Sequence, residues 1–257
     1  MTMVETVTGG RGDPSGVAYV LETLYRRQQG LEEDNWVTKE MTALLKKKLS
    51  KVAAPFLTLA EYKPVGSTAE KLSVSRKDDK DLLLVLGPPY SPAYFKSEYD
   101  AHGRHFLKWN NKKCQGTKPR YVGNGNYLSA TALRTFINGC LQTAVKDERV
   151  GSLRVGKVEV WKQAVRVHLK QEGGGRQTFI VDIIPQIKGD QWRRVAGVEP
   201  LESLAPALQK AIQGVEAAGE ASVMFSLFGP PGTPPHTLTT CYALLEREFF
   251  LKNEGFY

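Results

Sequence analysis

Apolar residues recur along the chain with two different periods, and these predict its elements. After Pro14, Val17, Val20, Leu21 and Leu24 follow helical spacing and Gly30 supplies a stop, so a short amphipathic helix is expected there. A longer helix is expected from Asp34, a candidate N-cap, to Ala54. Val37, Met41, Leu44, Leu45 and Val52 form its apolar stripe, its lysines lie mostly opposite, and Pro55 ends it. The unbroken run Leu82 to Leu86, stopped by Gly87-Pro88-Pro89, reads as a central strand. A third helix is predicted over residues 128–145, with Ser129 as its cap. Residues 165–170 and 177–185 then read as two strands of a hairpin joined through Glu172-Gly173-Gly174-Gly175. Residues 201–218 and 239–252 are expected to be helical, separated by the Gly- and Pro-rich loop 229–235. The order α, α, β, α, β, β, α, α predicts an α+β fold in which a mixed sheet packs against helices. A leader (residues 1–33) carries the short helix, and one core domain spans residues 34–257.

Composition narrows the class. Of 257 residues 41% are hydrophobic and 24% charged, ordinary for a folded domain and too apolar for global disorder. Three scattered cysteines, Cys114, Cys140 and Cys241, predict no disulfide framework. The absence of a membrane-length apolar run and of signal-peptide character leads to an expectation of a cytoplasmic or nuclear protein without a transmembrane segment. A net charge of +8 favours polyanionic partners. Two segments concentrate it. Residues 96–120 hold seven basic residues against Glu98 and Asp100, a net +5, and residues 39–51 hold Lys39, Lys46, Lys47, Lys48 and Lys51 against Glu40, a net +4. Each reads either as a solvated face or as a phosphate-binding surface.

Three carboxylates carry the candidate chemistry. Asp79 and Asp81, two apart at the entrance of a strand, point to one side of it. Asp182 interrupts the apolar strand 179–185, where an unpaired charge would cost several kcal/mol unless it faces a cation or an open site. If the two strands are neighbours, the three acids form the oxygen-rich cluster preferred by Mg²⁺, and two such ions can align a triphosphate with an attacking hydroxyl. Gly66-Ser67 offers flexible backbone and a hydroxyl to phosphates. The alternatives are a solvated strand entrance beside Arg76, Lys77 and Lys80, and an internal salt bridge at Asp182.

Gly66-Ser67 with the following residues 68–75, Asp79-Lys80-Asp81, residues 127–130, Val181-Asp182-Ile183-Ile184-Pro185 and Trp192 occur in an order that resembles the male-abnormal-twenty-one-like family of nucleotidyltransferases. That family includes cyclic GMP-AMP synthase and the related cyclic-dinucleotide-producing receptors of animals, which act in innate immunity. The resemblance runs from about residue 34 to the C-terminus. It implies a nucleotidyltransferase fold with the helix 34–54 as its spine, and Asp79, Asp81 and Asp182 as catalytic and metal-binding acids. It further implies Gly66 and Ser67 as nucleotide-binding residues, Mg²⁺ or Mn²⁺ as cofactor, and ATP and GTP as substrates. Asp79-x-Asp81 stands for the usual Glu-x-Asp. The family's Trp-Arg-x-Ser-Phe-Ser segment aligns with Leu238 to Ala243, which replaces an arginine and two serines that face nucleotide, and the family's C-terminal helical lobe is expected to be largely absent.

The resulting expectation is an enzyme that joins nucleoside triphosphates, with a cyclic dinucleotide as a candidate product. Double-stranded RNA or DNA would switch it on by lying on Lys39, Lys47, Lys48 and Lys51. The alternative is a catalytically inactive scaffold of the same fold that binds nucleotide or protein partners. Other chemistries find less in the sequence. His102, His105 and Cys114 lack a fourth ligand at zinc spacing, Cys140 reads as core and His168 as a strand-face residue, and neither a Walker loop nor a dinucleotide-binding glycine motif occurs.

Overall fold

The computed structural model describes residues 36–65, 79–91, 93–99, 104–110, 118–171, 178–191, 222–229 and 232–241, together with helical positions 206, 209 and 213. The expected first helix, Gly66-Ser67, His102, Cys114 and most of the two C-terminal helical segments lie outside these residues. Helix α1 covers residues 36–49 and turns Val37, Met41, Leu45 and Leu49, each four apart, completely inward. It stops before the expected Ala54. Pro55 does not end it but opens a separate short helix, α2 (Pro55–Thr58), where the missing proline N–H costs nothing at the first position. Helix α3 (Ala130–Val145) matches the predicted third helix and buries Leu133, Ile137, Leu141 and Val145. Ser129 stands at its N-cap position, yet its side chain makes no capping hydrogen bond. Lys48 of α1 and Glu148, just beyond α3, form an ion pair that joins the two helices.

Both helices lie on one eight-stranded sheet, ordered β1 (Glu61–Val65), β2 (Asp79–Val85), β8 (Thr178–Gln191), β7 (Ala164–Gln171), β6 (Leu153–Trp161) and β5 (Arg149–Val150). Strand β9 (Ser222–Ser226) continues along β8 and pairs with β10 (Thr239–Cys241). The predicted hairpin is β7–β8, and the predicted central strand is β2, which starts three residues before Leu82 and pairs in parallel with β8. The α+β class therefore holds. Residues 239–241 are a strand edge where a helix was expected, because Thr239, Thr240 and Cys241 take up the ladder offered by β9. Two strands also lie in the basic stretch 96–120 and its border, for which the sequence reading named no element. These are β3 (Phe95–Tyr99) and β4 (His105–Trp109), a separate antiparallel pair.

Alternation along the strands gives the sheet two unlike faces. Leu82, Leu84, Val165, Val167, Leu169, Phe179, Val181 and Ile183 meet the helices in the main core. The opposite face bears a smaller apolar cluster of Val65, Leu83, Val85, Ala164, Ile184 and Met224. Asp79, Asp81 and Asp182 share the alternation of that second face.

The turn from β5 to β6 depends on Gly151, whose φ of +60° disfavours any side chain and whose Cβ position lies 2.5 Å from the Trp36 ring. Gly151→Ala should lower unfolding free energy by about 2 kcal/mol or more, combining left-handed strain with overpacking. Denaturant titration should show the loss shrinking when Trp36 is also truncated to Ala, because only the steric part depends on the indole.

Candidate functional site

Parallel pairing of β2 with β8 sets Asp81 directly against Asp182, and Asp79 against Ile180. Neighbouring strands lie about 4.8 Å apart, so the Asp81 and Asp182 backbones are as close as a sheet allows, with Asp79 one pleat away on the same side. Asp79 is exposed, while Asp81 and Asp182 are half-buried. The convergence expected from sequence is thus present in the backbone register.

The side chains add a partner not foreseen in the sequence. Arg166 of β7 is the register partner of Asp182 on its other side, and its guanidinium grips the carboxylate as a fork: Nε donates to Oδ1 at 2.8 Å and Nη2 to Oδ2 at 2.7 Å. Such paired, charge-assisted bonds are about twice as strong as neutral ones. The hydrogen bond donated to Asp182 is the main cause holding the Arg166 pKa above its ordinary value, and the negative charges of Asp182, Asp79 and Glu159 add to it. The internal salt bridge considered for Asp182 is therefore the arrangement in the folded chain. Among the described residues, no three His, Cys, Asp or Glu side chains are grouped to hold a metal ion.

The charged row continues across β6. Glu159 faces Arg166 in register, and its carboxylate takes Lys157 at 2.6 Å and the His168 Nε2 at 2.9 Å. The Lys157 hydrogen bond, followed by the one to His168, holds the Glu159 pKa below the usual carboxylate range. His168 is accordingly a strand-face residue. Trp161, 45% exposed at the end of β6, covers the guanidinium of Arg166 with its ring centroid 5.0 Å away. Asp182, Asp79 and Glu159 thus set negative charge around Arg166, with Lys157 and His168 beside Glu159. Arg166 could have been found from sequence: Arg166 and Asp182 are each eight residues from Gly174, in the glycine run that reads as the hairpin link. Folding the two strands symmetrically about it makes the pair.

The lysines of the candidate nucleic-acid surface separate. Lys39 and Lys47 are exposed on α1, Lys51 is exposed in the turn after it, and Lys48 is drawn to Glu148. Since α1 ends at residue 49, Lys47 and Lys51 are not successive positions of one helix face. Cys140 packs partly buried against the core, as expected, and burial pushes its thiol pKa up. It borders a groove of about 520 Å³ between α1 and α3 with Lys48, Val52 and Phe136. Of the zinc candidates only His105 is described. It is buried in β4, with Nδ1 lacking a hydrogen-bond partner and its ring 5.3 Å from that of Phe225.

No protein-family model matches the chain, and no curated protein matches it.

Burial pulls the His105 pKa below its ordinary value of 6.5, so the folded chain resists a proton that the unfolded chain accepts. The unfolded state therefore binds more protons below about pH 6.5, and stability falls as pH drops through that range. Thermal melts of wild type should decline there more steeply than those of His105→Phe, and parallel profiles would contradict the assignment.

Proposed function

We propose that the chain is a nucleotidyltransferase-fold protein whose acidic sheet face receives nucleoside triphosphates, ATP and GTP, and joins them. The observation that carries this reading is the parallel register that puts Asp81 beside Asp182 with Asp79 on the same face. Two carboxylates on one strand and one on its parallel neighbour would offer hard oxygens of the kind Mg²⁺ or Mn²⁺ prefers once Asp182 is released from Arg166. A bound ion would supply charge neutralisation for the triphosphate and acidify the attacking hydroxyl. Asp79 and Asp81 would hold it from β2 and Asp182 from β8. Gly66 and Ser67, which precede β2 in the chain, would contact phosphate. Lys39, Lys47 and Lys51 would offer charge to the backbone of double-stranded RNA or DNA, with Lys48 as a fourth contact once it leaves Glu148.

Purified protein with ATP, GTP and Mg²⁺ or Mn²⁺ should release pyrophosphate, faster with duplex RNA or DNA. Asp79→Asn and Asp182→Asn should each reduce turnover at least about a hundredfold while retaining a cooperative melt, since the amide keeps size and loses charge. Turnover equal to wild type in Asp182→Asn would remove the acids from the chemistry.

A second reading is a catalytically silent scaffold of the same fold, a binder of nucleotide or protein in signalling or development. It is favoured by the Arg166 fork, which already satisfies both oxygens of Asp182. Nucleotide binding without pyrophosphate release under every metal and duplex condition would select it.

On either reading, Lys47→Glu combined with Lys51→Glu should weaken duplex binding at low salt by about tenfold or more. The melting temperature should barely move, because exposed charges contribute little to stability.

A further inference from the structure

Arg166 is flanked in register by two acids, Asp182 on β8 and Glu159 on β6. Its fork presently belongs to Asp182, and Glu159 is held by Lys157 and His168. The Trp161 ring packs over the guanidinium and keeps it close to the sheet. A carboxylate has about four lone-pair positions, of which the fork takes two. A divalent cation bound to Asp182 would need an oxygen at about 2.0–2.6 Å and would therefore sit within a few ångströms of the guanidinium charge. At that separation like charges repel strongly even in a well-screened site. The fork and the cation are competitors for one carboxylate.

We propose that Arg166 is a built-in counter-ion at the third acid of the site: in the resting chain it occupies Asp182, and a divalent cation gains that carboxylate only by displacing it toward Glu159. This rests on the reading of Asp79, Asp81 and Asp182 as a cation site. It makes Arg166 a positioning residue that sets cation affinity, and Glu159 the seat that receives the guanidinium when the cation arrives. The charge pattern fits both roles, since Asp182, Asp79 and Glu159 all act on the one arginine of the strand between β8 and β6, and the Glu159 carboxylate has lone pairs beyond those taken by Lys157 and His168.

The test is Mn²⁺ binding to the full chain, read without nucleotide by the loss of free-ion paramagnetic resonance signal. Arg166→Gln should bind Mn²⁺ about tenfold more tightly than wild type, and adding Asp182→Asn should cancel the gain. Glu159→Gln, which removes the receiving seat, should bind several-fold more weakly. Arg166→Lys keeps the charge and should stay within about threefold of wild type, which separates repulsion from a packing change. Should Arg166→Gln fail to fold, the weaker binding expected of Glu159→Gln beside the near-wild-type binding of Arg166→Lys carries the test, and equal affinity in Glu159→Gln and wild type overturns the counter-ion role. Equal affinity in wild type, Arg166→Gln and Glu159→Gln would overturn the counter-ion role and leave the cation site standing. No saturable binding in wild type or in Arg166→Gln at millimolar Mn²⁺ would overturn the cation site itself.

Discussion

Strand β8 is the constraint on which the rest of the structure depends. It pairs in parallel with β2 along one edge, and along the other with β7 and then β9, so the alternation of its side chains is imposed on three strands at once. Phe179, Val181, Ile183 and Ile187 face the helices and bring the main core together. Asp182 and Ile184 necessarily face the other way. A slip of β2 by one residue against β8 would turn Asp79 and Asp81 into the helix-packed core and Leu82 and Leu84 out of it. The burial of Leu82 and Leu84 therefore fixes the position of the acids as firmly as any contact between the acids themselves.

Asp182 also shows how a charge can be kept in an apolar strand. Two ions removed from water repay the cost of dehydration only with good geometry and satisfied hydrogen bonds. The fork from Arg166 satisfies both oxygens, and Glu159 with the indole of Trp161 encloses the arginine from the next strand. Removal of one partner leaves a half-buried charge without its counter-ion, whereas the intact row of alternating charges Asp182, Arg166, Glu159 and Lys157 is self-consistent across three strands.

The sequence disclosed elements wherever one period was long and clean. The four-residue spacing of Val37, Met41 and Leu45 and the unbroken Leu82–Leu86 run both led to elements that exist. Helix ends were less legible: Pro55 is compatible with stopping one helix or starting another, and the choice is made by the tertiary packing of Phe56 and Leu57. Strands β3 and β4 escaped because their residues mix Lys96, Glu98 and Lys108 with aromatics, a pattern that local periodicity does not separate from a loop. They are fixed instead by contacts distant in sequence, such as the Tyr127 hydroxyl donating to Glu98. For the site, same-face placement of Asp79 and Asp81 follows from strand geometry alone. The adjacency of Asp182 needed the parallel pairing, and Arg166 needed the hairpin register, which the symmetry about Gly174 contained.

The small sheet β3–β4 is joined to its surroundings in a different manner from every other strand pair. Single-residue bridges, His105 to Leu238 and Lys108 to Tyr127, link it to neighbouring segments, and rings of Phe106, Tyr127 and His236 stack beside them. Among the described residues no continuous ladder connects it to the large sheet. What ties it to the rest is side-chain packing, with Phe95, Leu107 and Trp109 buried in the main core and the His105 ring against Phe225. Lys96 and Lys108 thus sit on a part of the molecule coupled to the carboxylate-bearing sheet through the core and not through a shared backbone ladder.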